Sequence, residues 1–218
     1  MGKLSAVALG GYLLVAGGAG LIGTAGYTFW SAQHSQAELA QQFNQQKEEY
    51  AARAQATRSP RTSTTGQTQA SNPAPVPFTP PAPGKVLAEL SAPSIGLRTY
   101  VLEGDSDAIL AKGPGHMPGT AYPGQTNNMI VAAHNVLYFE HIDGLHPGDP
   151  IYVSLPNGER YTYTVSGHKI ISTNAYIPIR PMPPTLTLVS CYPLNGSILH
   201  PPWRYLVMAR LSGTKKVG

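Results

Sequence analysis

The sequence holds a single thiol, Cys191, which closes the run TLTLVSC. Strand ends and the loops after them are where catalytic groups usually emerge from a scaffold. The thiolate is the reactive form, so a nucleophilic cysteine needs a base or a cation beside it. Taken alone, Cys191 reads equally well as a small buried hydrophobe. Seven histidines could serve as the base. His34 lies in a polar segment near the N-terminus, and His168 falls inside the strand-like run RYTYTVSGHKIIS. His116, His141, His146 and His200 have Gly/Pro-rich or polar surroundings suited to loops. His134 differs, because it ends the apolar run MIVAAH just as Cys191 ends TLTLVSC. Arg204 opens the last apolar run, 13 residues after the cysteine. It reads either as a solvated rim charge or as a group able to stabilise negative charge on a carbonyl oxygen. Arg210 competes for that role from the far end of the same run.

The elements that must position these groups are short. TYVLEG (99–104), NMIVAA (128–133), PIYVSLP (150–156), RYTYTVSGHKIIS (160–172), TLTLVSC (185–191) and RYLVMARL (204–211) are rich in β-branched and aromatic residues and bounded by Gly, Pro and Asn. Asn157-Gly158 between two alternating runs is a strong hairpin signal. Only SDAILAKG (106–113) suggests a helical turn. Many short strands at this spacing predict an all-β barrel or sandwich. The span 85–212 is long enough for one compact core, with a short tail over 213–218.

Before that domain the composition changes twice. Leu4 to Trp30 carries no charged residue, and as a helix would reach about 40 Å, against a bilayer core of about 30 Å. Lys3 precedes it and the next cation is Lys47, which predicts a transmembrane anchor over 1–31 with a cytoplasmic N-terminus and everything after it outside. A cleaved signal is the competing reading, but the apolar run is longer than a typical signal core. Residues 32–56 are Gln/Ala/Glu-rich, with Leu39, Phe43 and Tyr50 at near-helical spacing, and predict a short exposed helical stalk. Residues 57–84 end in SNPAPVPFTPPAP, a stiff proline-rich linker.

Composition also excludes several classes. Charged residues are 12% of the 218, and Gly (23) and Pro (21) are abundant, which argues against a mostly helical chain. The net charge is +4, and no run of five basic residues occurs, which argues against a nucleic-acid partner. One cysteine excludes an internal disulfide framework and a Cys-only metal site.

The segment from Lys85 to Leu211 resembles the sortases, the cysteine transpeptidases of bacterial cell surfaces. The family's TLxTC strand is matched by TLVSC (187–191), and its xxGHR or xxGHN motif by IVAAHN (130–135). CYP followed by a loop and an Arg-led strand looks most like class D. LSAPSIGLRTYVLEGDSDAILAKGPGHMPGTAYPG is similar to the family's barrel entry and first loop. Two departures stand out: Ser190 replaces the usual Thr, and Ala133 the usual Gly before the histidine.

The resemblance implies a sortase-like β-barrel with Cys191 as nucleophile, His134 as acid/base and Arg204 as oxyanion or substrate-positioning group. It further implies a secreted protein substrate with a C-terminal LPxTG-like sorting motif and an amine acceptor, either a cell-wall peptide or a pilin lysine. With a membrane anchor, the catalytic domain would work outside the cell membrane. No cofactor is expected. Some sortases carry calcium, but this domain has no acidic cluster, so no metal site is expected. Three rivals are a plain cysteine hydrolase on the same fold, a non-enzymatic surface module, and a cell-wall L,D-transpeptidase. The last carries a Ser-x-Gly-Cys signature, whereas Cys191 follows Val189-Ser190.

Overall fold

The computed structural model describes residues 34–56, 78–180, 182–194 and 201–216. The apolar segment and most of the proline-rich linker lie outside the described residues. Among the described residues no helix is long and apolar enough to cross a membrane.

Residues 34–56 form helix α1. Eight strands follow: β1 (Val86–Ala92), β2 (Leu97–Glu103), β3 (Gly115–His116), β4 (Asn128–Ala133), β5 (Pro150–Ser154), β6 (Glu159–Ser172), β7 (Thr185–Tyr192) and β8 (Trp203–Lys216). A single helical turn, α2 (Asp107–Leu110), lies between β2 and β3. The strands close into a barrel in the order β1-β2-β3-β4-β7-β8-β6-β5, and β5 pairs back onto β1. The all-β expectation holds as an eight-stranded barrel. The Asn157-Gly158 signal is the β5–β6 turn, where Gly158 takes φ +87° and the flanking strands pair antiparallel. β8 runs four residues past the expected domain end, pairing Gly213 to Lys216 with β6.

Alternation sorts each strand's side chains to two sides. Met129, Val131, Ala133, Leu186, Leu188, Val207 and Ala209 point into the barrel and join its main core. The intervening positions, Ile130, Val189 and Leu206, form a separate cluster on the outside of β4, β7 and β8. Ile177 and Ile179 from the β6–β7 loop pack over that cluster, with Met117 and Ile171 beside them. A second apolar layer therefore covers one outer face of the sheet.

Two expectations need correcting. The helix over 34–56 is not freely exposed along its length: Leu39 and Phe43 are each 5% exposed and pack on Val86, Tyr100 and Leu102. Their i, i+4 spacing makes one apolar stripe, and the outer face of β1–β2 supplies the partner. His116 is not a loop residue either. It lies in β3 and is fully buried, its Nδ1 3.0 Å from Glu103 Oε2.

Candidate active site

β4 and β7 run parallel in strict register, from Asn128↔Thr185 to Ala133↔Ser190. His134 is the residue after the last rung, so it stands level with Cys191 on the neighbouring strand. β8 pairs antiparallel on the other side of β7, and its register places Arg204 directly opposite Cys191. With strands about 4.8 Å apart, the three backbone positions are consecutive across the sheet.

The three also share a face. Counting back by twos from Cys191 gives Val189 and Thr187, and forward from Arg204 gives Leu206 and Met208. Ile130 stands two pairs before His134 on β4. Val189, Leu206 and Ile130 all belong to the outer apolar cluster. The neighbours of opposite parity, Ala133, Tyr192 and Tyr205, pack on the barrel core. Thiol, imidazole and guanidinium therefore emerge together at one end of one outer face. Arg210, the competing arginine, pairs with Thr185 at the opposite end, six residues or about 20 Å away.

The surroundings fix these positions. Cys191 and His134 are half-buried, which leaves them open to a reactant. Arg204 Nη1 donates to the carbonyls of Pro201 and Trp203, both at 3.1 Å, so the guanidinium is anchored on the backbone at the head of β8. Ser190 Oγ donates to the Ala133 carbonyl at 3.3 Å, tying β7 to β4 one residue before the cysteine and the histidine. Asn135, 1% exposed, donates from Nδ2 to the Pro193 carbonyl at 2.7 Å. That bond links the segment leaving His134 to the segment leaving Cys191.

A cavity of about 380 Å³ opens on the same face, between the strands and the β6–β7 loop. Ile171, Ile177, Pro178, Thr187, Leu206 and Met208 give it a mainly apolar wall, and Lys169 and Arg210 add cations. Its size suits a few residues of an extended peptide or a small ligand. Leu206 lies two residues from Arg204 along β8, but His134, Cys191 and Arg204 do not themselves line the cavity. The roof is pinned by two asparagines. Asn128 Nδ2 donates to the Pro178 carbonyl at 3.0 Å, and Asn127 Oδ1 accepts from the Met182 amide at 3.3 Å. Asn127 takes φ +90°, a conformation asparagine tolerates better than other side chains. Among the described residues no group of three or more His, Cys, Asp or Glu stands close enough to hold a metal ion.

A family model for the sortase domain matches residues 90–212, more than half of the chain. The chain belongs to the sortase family. Sortase D of Bacillus subtilis is 26% identical over 132 residues, which cover 60% of this chain and 66% of that protein. The chain thus spans just under two thirds of that relative's length. A sortase D transpeptidase from Clostridium perfringens superposes with a TM-score of 0.59 over 84% of this chain and 99% of that one, at 22% identity. Sortase E from Streptomyces avermitilis gives a TM-score of 0.52 at 27% identity, over 64% and 93% of the two chains. Sortases are cysteine transpeptidases, and among them the chain is similar to class D.

Within this sortase, the remaining histidines separate from the site. His168 is in β6 as expected, but its ring faces the barrel side, stacked on Tyr205 and bonded to the Leu145 carbonyl. His141 and His146 are exposed on the segment between β4 and β5, and His34 begins the described part of α1. His200 lies outside the described residues. Sequence reasoning missed Asn135 as a link between the two strand exits. Its place directly after the histidine was visible, but its partner, 58 residues away, was not.

Proposed function

We propose that this chain is a membrane-anchored cysteine transpeptidase acting on secreted proteins that carry an LPxTG-like sorting motif. The Cys191 thiolate attacks the scissile carbonyl carbon, and Arg204 stabilises the negative charge that develops on its oxygen. His134, as imidazolium, gives its proton to the departing amine as the C–N bond breaks. The acyl group is left on sulfur as a thioester. An incoming amine then attacks that thioester, loses a proton to His134, and expels the thiolate with a new amide bond formed. Splitting the transfer through a covalent intermediate divides one difficult step into two easier ones.

The observation that carries this reading is the register itself, in which His134, Cys191 and Arg204 occupy consecutive strands at one end of one face. The apolar cavity further along the face supports an extended peptide as substrate, with its side chains in the cleft under the β6–β7 loop. The uncharged run Leu4–Trp30 supports the anchor, and Lys3 before it supports a cytoplasmic N-terminus with the barrel outside the membrane.

The test is a transfer assay on the full chain in detergent. A fluorescent peptide containing an LPxTG-type motif is supplied with and without a cell-wall stem peptide or a lysine-bearing pilin peptide. Ligated product that depends on the amine supports the reading. Cleavage to the free acid at the same rate with or without amine would make the chain a hydrolase, and no turnover with a range of motifs would refute the reading.

A further inference from the structure

Helix α1 packs on the outside of the barrel at β1–β2, yet one of its side chains makes three hydrogen bonds to the domain. Gln36 Oε1 accepts from the Tyr100 amide at 3.0 Å and from the Thr99 hydroxyl at 2.9 Å. Gln36 Nε2 donates to the Lys112 carbonyl at 3.0 Å. Of the two acceptor and two donor positions of a glutamine side chain, three are used. One and two turns further along, Leu39 and Phe43 are buried, and the Phe43 ring stands 5.5 Å from that of Tyr100.

The barrel has a specific need at this place. β2 meets β3 over only two rungs, Leu102↔Gly115 and Glu103↔His116, so its edge at Thr99–Tyr100 lacks a strand partner there. Gln36 supplies that partner from a helix. Gly113 leaves the room for it, since a Cβ there would come within 2.9 Å of Gln36 Nε2 and 3.0 Å of the Tyr100 carbonyl.

Tyr138 leads from this joint to the reactive face. Its hydroxyl donates to the Ala111 carbonyl at 3.2 Å, so Tyr138 and Gln36 bond consecutive carbonyls of one turn. Its backbone amide, and that of the fully buried Phe139, donate to the His134 carbonyl at 3.3 and 3.2 Å. A path therefore runs from α1 through the Ala111–Lys112 turn and Tyr138 to the backbone of the histidine.

We propose that α1 is a positioning element for the active site: Gln36, acting through Tyr138, holds residues 134–139 so that the His134 imidazole stays level with Cys191. Gln36 and Tyr138 are positioning residues, and neither touches the reacting atoms. The proposal rests on the reading of His134 as the acid/base.

The test measures transfer kinetics, thermal unfolding and the pH profile of kcat for the full chain and its variants Gln36→Ala, Tyr138→Phe, the double variant and His134→Ala. Each single change is expected to lower kcat by roughly 3- to 30-fold, the range of coupling through a contact network, with peptide KM unchanged. The double variant is expected to be no slower than the slower single one, because both changes cut the same path. The pH profile of kcat should shift in both single variants. Tyr138→Phe keeps the ring and its packing, so it reports even if Gln36→Ala loosens α1. Wild-type kcat in either single variant, losses that multiply in the double variant, or a lowered melting temperature with unchanged kcat would overturn the proposal. If His134→Ala is inactive while the others match wild type, this proposal alone fails. If His134→Ala still transfers normally, the reading of His134 fails and this proposal with it.

Discussion

Cys191 and Arg204 are direct cross-strand partners, one rung in from the end of the β7–β8 ladder at Tyr192↔Trp203. A one-residue slip of either strand would send one of the two side chains to the barrel side. The slip is blocked by burial: Leu186, Leu188, Val207 and Ala209 occupy the inward positions of the same ladder. Packing of the core thus fixes the pairing of Cys191 with Arg204.

If Arg204 stabilises the oxyanion, Arg204→Ala lowers kcat/KM by about 10²- to 10³-fold, the usual cost of losing such a donor. Arg204→Lys recovers little, because Nη1 alone holds the carbonyls of Pro201 and Trp203 and leaves the guanidinium's other donors for substrate, whereas an ammonium has one nitrogen for both tasks. Arg98→Ala, on an exposed ion pair with Glu89, leaves the rate unchanged. Steady-state kinetics on the three variants checks this.

Asn135→Ala removes the bond that links the two strand exits and leaves the Pro193 carbonyl without its donor. The expected loss is about 1–3 kcal/mol of stability, read by urea unfolding, accompanied by a lower kcat. Asn135→Asp should do no better, since an ionised carboxylate cannot donate to that carbonyl.

The cavity under the β6–β7 loop predicts a different signature. Ile177→Asp places a charge in its apolar wall. Peptide KM should rise about tenfold or more while kcat is retained, the mark of lost uniform binding. A fall in kcat at constant KM would place the peptide elsewhere.

Alkaline stability should depend on Tyr138. Burial raises its hydroxyl from 10.0 to about 12, partly offset by the neighbouring Gln36 carboxamide. A group whose pKa is raised by folding stabilises fully below its unfolded value, and that contribution is lost as pH rises through the folded one. Stability should therefore fall between about pH 10 and pH 12. Burial also raises Tyr100, Tyr122, Tyr163 and Tyr205, so the decline is shared. Tyr138→Phe should flatten part of it in urea melts across that window.

Much of this was legible in the sequence because it is local. β4 was read at its observed bounds, the β5–β6 hairpin followed from Asn157-Gly158, and Cys191 and His134 were marked by ending apolar runs. What stayed hidden depends on distant partners. β1, with Glu89 and Ser91 breaking its apolar run, carries a weak strand signal and is made a strand by pairing with β2 and β5. β3 is two residues long, too short for any periodicity, and His116 within it is buried because Glu103, Thr120 and the Ala121 carbonyl surround its ring. The i, i+4 pair Leu39 and Phe43 announced an apolar stripe on α1, but only the fold shows the β1–β2 surface that it covers. Gln36 gave no signal at all: its partners lie 63 to 76 residues away.

In the proposed reaction Cys191 carries the acyl group. Intact-mass spectrometry of the full chain, mixed with an LPxTG-type peptide and no amine, tests it most directly. The expected result is an added mass equal to the acyl fragment, mapped to Cys191 by peptide digestion, discharged on adding an amine and absent in Cys191→Ala. An adduct on another residue, or undiminished product formation by Cys191→Ala, would contradict it.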